Sequence, residues 1–153
     1  MRRKPSLFVL FSLIISASLL ASCAGSSSTS KNHKYAMADM AGMPTEVQDS
    51  PVTVQQAYQF AAANPEILTK IPCYCGCAAV GHTSNYDCYI DEVDGQGQIS
   101  YDTHALGCSI CVDITQDTMR LLDQGKSVAE IRSYIDSTYA SYGPSNMGPS
   151  NLP

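Results

Sequence analysis

The sequence predicts a small, mainly α domain that closes with an antiparallel helix hairpin, carries a cysteine-rich loop and has room for a minor β-hairpin. Three observations predict it. Apolar residues recur at helical spacing over 53–63, 106–124 and 128–139. Gly125 and the capping box Ser127-Val128-Ala129-Glu130 leave a link of about two or three residues between the last two helices, which folds them into a hairpin. The stretch 73–84 has no period and holds cysteines at alternate positions, so its shape must come from bridges or ligands.

From the N-terminus, Arg2, Arg3 and Lys4 precede an uncharged, almost wholly apolar run over 6–20, and Leu20-Ala21-Ser22-Cys23 closes it with small residues before a cysteine. That order predicts a secretory signal over 1–22. The apolar run is shorter than the roughly 20 residues a spanning helix needs. The tetrad resembles the lipobox of bacterial lipoproteins, in which the cysteine thiol takes a diacylglycerol. The resemblance implies lipidation of Cys23, with palmitate-like acyl chains, and an anchor on the extracytoplasmic face of a cell membrane. Removal of 1–22 leaves six Lys and Arg against 14 Asp and Glu, a net charge of −8. Such a balance argues against nucleic acid and anionic headgroups as partners and suits a domain that attracts cations.

Residues 23–51 read as a lipidated tether, since 26–30 is a run of Ser and Thr that cannot bury enough surface to order itself. Within it lie His33 and then Met37, Met40 and Met43 at intervals of three. These four offer imidazole and thioether donors for copper transfer, or else a plain apolar stripe that docks on the domain. The folded unit is expected over 52–142. Its first helix presents Val54, Tyr58 and Ala61 or Ala62 on one face and stops at Asn64-Pro65. A short turn over 65–69 leads to Ile71-Pro72. Asp94-Gly95 and Gly97, flanked by Ile90, Val93, Ile99 and Tyr101, supply turn chemistry for a hairpin within 87–101. The next helix presents Ile110, Ile114, Leu121 and Leu122, and the last presents Val128, Ile131, Ile135 and Tyr139. The tail 143–153, rich in Gly, Pro, Ser and Asn, reads as disordered.

The chemistry concentrates in Pro72-Cys73-Tyr74-Cys75-Gly76-Cys77, His82, Cys88, His104 and Cys108-Ser109-Ile110-Cys111. In an extended segment alternate side chains point one way, so Cys73, Cys75 and Cys77 could face one point. Cys108 and Cys111, three apart at a helix start, share a face, and a helix N-terminus favours thiolate. Three readings follow. The cysteines, with His82 and His104, ligate a soft metal, copper before zinc. The six cysteines left after Cys23 form three disulfides in an extracytoplasmic interaction module. Or Cys108 and Cys111 are a thiol–disulfide couple. Crowding three bridges onto five consecutive residues is poor disulfide geometry, which favours metal. Haem attachment is excluded because Val112, not His, follows Cys111. Asp91, Glu92, Asp94 and Asp102 lack the spacing of a calcium loop. No Ser-His-Asp order or phosphate-binding glycine loop calls for an enzyme.

Residues 72–77 with Gly81-His82, then His104, Gly107-Cys108 and Cys111, then Gln124-Gly125-Lys126-Ser127 and Glu130-Ile131-Arg132, resemble the lipoproteins that take their name from a PCYCGC motif. The resemblance covers about 55–139 and implies a fold and a location more than an activity. The hairpin turn Gly125-x-Ser127-x-x-Glu130-Ile131 also resembles, distantly, the thiol reductase of cytochrome c maturation, from which this chain departs by its triple-cysteine run. The partners expected are a membrane, through the lipid anchor, and a copper-dependent protein.

Overall fold

Pro51 and Pro65 set the limits of the first long helix in the computed structural model, which describes residues 33–148. The signal segment, Cys23 and the serine run lie outside the described residues. Five α-helices and one two-stranded antiparallel sheet are described: α1 (Thr45–Gln48), α2 (Val52–Ala63), α3 (Pro65–Leu68), β1 (Ile90–Val93), β2 (Ile99–Tyr101), α4 (Ser109–Asp123) and α5 (Val128–Tyr139). The mainly α fold with a minor β-hairpin is therefore the observed one.

The local signals act as the sequence predicts. Asn64 ends α2 by donating from its side chain to the Phe60 carbonyl at 2.8 Å, and Pro65 then opens α3 at a position where no N–H is needed. Gly125, at φ 82, occupies the left-handed position after α4, donating to Leu122 O at 2.8 Å while Lys126 donates to Leu121 O at 3.0 Å. Two residues on, Ser127 and Glu130 close the capping box in both directions, and α5 returns along α4. In the hairpin, Asp94 accepts the N–H groups of Gln96 and Gln98 at 2.8 Å each, and Gly97 supplies the positive φ the turn requires. The register of β1 against β2 shifts between Ile90 and Glu92, as at a β-bulge.

Helix α4 is the centre of the packing, with α2 on one side and α5 on another. Tyr58, Phe60, Leu68, Ile71, Ile114, Ile131 and Ile135 are fully buried between them. The buried face of α4 differs from the expected one. Ile114 and Leu121 are buried, but so are Cys111, Thr115 and Thr118, while Ile110 and Leu122 are only half-buried. The polar stripe wins because Thr115 belongs to a buried network. Its hydroxyl donates to Asn85 Oδ1 at 2.7 Å, and the Tyr89 hydroxyl lies 2.8 Å from both Thr115 Oγ1 and the Cys111 carbonyl.

The described part of the expected tether is a packed segment. Met43 and Val47 are 4% and 1% exposed. Ala38 exchanges hydrogen bonds with Gln59 of α2, Asn64 donates to the Ala36 carbonyl, and the Tyr35 ring meets Phe60 edge-on at 5.1 Å. Residues 33–51 escape the composition argument because, unlike the serine run, they carry enough apolar surface to bury. The described part of the tail is likewise ordered by contact: Arg132 donates to Gly148 O at 2.7 Å, and Asn146 reaches the cysteine loop. Among the described residues no helix is long and apolar enough to cross a membrane.

Candidate metal centre

The cysteine loop is built by two glycines and one proline. Pro72 follows the buried Ile71, Gly76 turns the chain at φ 85, and Cys77 opens a 3-10 turn (Cys77–Val80) that Gly81 ends at φ 95. The alternate cysteines therefore do not converge on one point as an extended strand would make them. Cys73 and Cys77 face a group completed by Cys88, and Cys75 faces a second group with His104, Cys108 and Cys111. Within each group the ligand atoms all lie within 4.8 Å of one another.

Each remaining donor arrives on its own short element. Cys88 ends a 3-10 turn (Tyr86–Cys88) pinned by Asp87, whose Oδ2 accepts from Thr83 N at 2.6 Å and Ser84 N at 3.0 Å. His104 opens another (His104–Gly107), its backbone N–H held by Asp102 Oδ1 at 2.6 Å. Cys108 is the N-cap of α4 and Cys111 lies in its first turn. Both groups then meet in one cluster, as Cys73 and Cys75 are 3.4 Å apart at sulfur and Cys111 lies 3.5 Å from each. Cys111 is also 3.3 Å from Cys88, Cys88 is 3.8 Å from Cys77, and Cys75 is 3.5 Å from His104 Nε2.

These separations decide between the readings. A disulfide needs sulfurs about 2.05 Å apart, and the six cysteines among the described residues are free thiols. The three-disulfide arrangement is thus not the one the chain adopts here. Tetrahedral bonds of about 2.3 Å place neighbouring sulfurs roughly 3.8 Å apart, close to the spacings observed. The cluster can therefore hold a metal ion with little rearrangement.

Electrostatics gives the thiols unequal roles. Cys73 is pulled well below the usual thiol range by hydrogen bonds from Cys111 and then Cys88. Cys111 is pushed up because it donates to Cys73 and Cys88 and is buried. Burial, followed by the charge on Cys73, raises both Cys75 and Cys77. Burial thus favours the neutral thiol at Cys75 and Cys77, and an incoming cation must displace those protons to gain thiolate ligands.

The candidate residues separate clearly. His104 joins the cysteines; His82 does not belong to either group. His82 stands behind His104, ring centroids 5.1 Å apart, with Nε2 3.6 Å from Asp102 Oδ2. Its Nδ1 is buried and has no hydrogen-bond partner among the described residues. His33 engages Asp123, Nδ1 to Oδ2 at 2.8 Å. Asp123 is the last residue of α4 and Cys111 is in its first turn, a separation of about 18 Å along a helix rising 1.5 Å per residue. Met43 is in the core, and Met37 and Met40 pack against it. The methionine series thus packs on the domain's apolar core, and none of the three belongs to either ligand group.

Two contributors escaped the sequence reading. Asn146 accepts from Cys73 N at 2.7 Å and donates to Ser84 O at 3.1 Å and to Cys77 Sγ at 3.5 Å. Nothing in the composition of a Gly/Pro/Ser/Asn tail marks this residue. The Asn85–Tyr89–Thr115 network, which holds the Cys111 carbonyl, had one visible signal: Thr115 lies four residues after Cys111, on the same helix face.

No curated protein and no solved structure matches the chain. A family model matches residues 12–151, which include the motif at 72–77, and the chain belongs to that family, described as protein of unknown function with PCYCGC motif.

Proposed function

We propose that this chain is a cell-surface lipoprotein that binds a soft metal ion through its clustered cysteines, copper in preference to zinc, for delivery, storage or sensing. The observation that carries the reading is six free thiols and one imidazole at mutual distances close to those of a metal–thiolate cluster. Sulfur-rich donor sets suit Cu(I), and tetrahedral sulfur with one imidazole also suits Zn(II). Cys75, Cys108 and His104 are half-buried rather than buried, so an ion held there can be passed to a copper-dependent partner. The extracytoplasmic, lipid-anchored location rests on the sequence of 1–23: a positive start, an apolar run too short to span, and small residues before Cys23.

Metal analysis of the full chain, purified anaerobically from cells grown with copper and zinc, tests the binding. Stoichiometric copper is the expected result. Protein with every thiol reduced and no bound copper or zinc overturns the reading.

A further inference from the structure

Seven donors are too many for one tetrahedral ion. Cys73, Cys77 and Cys88 form one group of three, and Cys75, His104, Cys108 and Cys111 form a second of four. Two four-coordinate ions need eight ligand positions, and seven donors fill them when one sulfur is shared. Cys111 is the sulfur placed to be shared. Its Sγ belongs to the second group, yet it lies 3.5 Å from Cys73 and 3.3 Å from Cys88 of the first. Its backbone is also held in place, since Tyr89 and Asn85 both reach its carbonyl, at 2.8 Å and 3.3 Å.

We infer that the cluster is a binuclear thiolate centre in which Cys111 bridges two soft metal ions. The inner ion takes Cys73, Cys77, Cys88 and Cys111; the outer ion takes Cys75, Cys108, His104 and Cys111. The inference rests on the metal-binding reading above and specifies its stoichiometry. Charge is balanced for divalent ions: the outer ion's two positive charges match the two further thiolates of Cys75 and Cys108, and each thiol gives up its proton to solvent as its ion binds. The two ions differ in exposure. All three unshared inner ligands are buried, whereas all three unshared outer ligands are half-buried. The inner ion is therefore the structural one and the outer ion the one that exchanges.

Anaerobic titration of the full metal-free chain with cadmium enriched in the spin-half isotope 113 tests the inference by metal NMR. The expected result is two equivalents bound and two resonances, one in an all-sulfur and one in a sulfur–nitrogen environment, split by scalar coupling through the shared sulfur. His104→Gln should perturb only the outer resonance, Cys77→Ser only the inner. A chelator should remove the outer ion first. Cys111→Ser should lose both tight sites, and because that buried variant can fail to fold, the coupling in the unmutated chain is the deciding readout. One equivalent with one resonance overturns the binuclear centre and leaves the metal-binding reading standing. Two uncoupled resonances overturn the bridge. No bound cadmium overturns both.

Discussion

Asn146 and Cys73 are joined twice: the Asn146 side chain accepts the Cys73 N–H at 2.7 Å, and the Asn146 N–H donates to the Cys73 carbonyl at 3.0 Å. The C-terminal segment thereby closes over the motif loop, and the same side chain donates to Cys77 Sγ. A hydrogen bond to sulfur stabilises thiolate, and such supporting contacts tune metal affinity about 10–100-fold. Asn146→Ala should lower stability by about 1–3 kcal/mol, because the Cys73 N–H is left unpaired. It should also weaken metal binding within that range. Denaturant melts and chelator competition measure the two effects, and Asn146→Asp, which keeps the acceptor and loses the donor, should restore more stability than affinity.

Metal removal should lower the melting temperature. Ligand that binds only the folded state at about 1,000 times its Kd adds about 4 kcal/mol, on the order of 15 °C for a domain of this size. Calorimetry before and after chelation, with thiols kept reduced, reads the difference. Equal melting temperatures would mean that the cluster is preformed without a bound ion contributing to the fold.

Cys75→Ser separates ligation from packing. Cys75 is half-buried and central to the motif run, and a serine hydroxyl is a poor ligand for a soft ion. The variant should bind less metal and lose part of the metal-induced rise in melting temperature, while its metal-free form melts near the unmutated metal-free chain. Metal content and calorimetry on the same preparation check both. Full loading with full stability would remove Cys75 from the centre of the site.

The helices were legible because their signals are local. Asn64-Pro65, Gly125 and the Ser127–Glu130 box each act within a few residues, and all three work as the sequence predicts. The gathering of the cysteine groups was legible in outline from the alternate cysteines at 73–77 and the Cys108–Cys111 spacing at a helix start. Its division was not. Gly76 marks a turn, but which sulfur faces which group depends on where 3-10 turns at 77–80, 86–88 and 104–107 deliver Cys77, Cys88 and His104. His82 and His104 look alike in sequence, and the backbone clamp from Asp102 to His104 decides between them. Asn146 was invisible because its role comes from a tertiary contact 73 residues away from Cys73.

The Asn85–Tyr89–Thr115 network should matter through Cys111. Thr115→Val keeps the side-chain shape and removes the hydroxyl, leaving Asn85 Oδ1 and the Tyr89 hydroxyl short of a buried partner. The cost should be about 1–3 kcal/mol. The α4 backbone at Cys111 should loosen, so the metal affinity should fall as well. Hydrogen exchange at the first turn of α4, with metal affinity on the same protein, tests the link. A stability loss without any change at Cys111 would confine the network to packing.

Residues 33–51 supply the converse case, in which stability should change and metal binding should not. Val47 is buried against the domain, so Val47→Ala should cost about 1–3 kcal/mol through the cavity it leaves. Met40, half-buried, is closer to the surface, and Met40→Leu conserves volume and should cost less than about 1.5 kcal/mol. His33→Gln should break the contact with Asp123 at the far end of α4 from Cys111. None of the three should alter metal stoichiometry or affinity, since none is in either ligand group and the segment's polar contacts go to α2 and the end of α4. Titration of each variant with Cu(I) against a competing chelator checks this. A lower copper affinity in Met40→Leu or His33→Gln, at unchanged stability, would return the methionine and histidine side chains to the copper path.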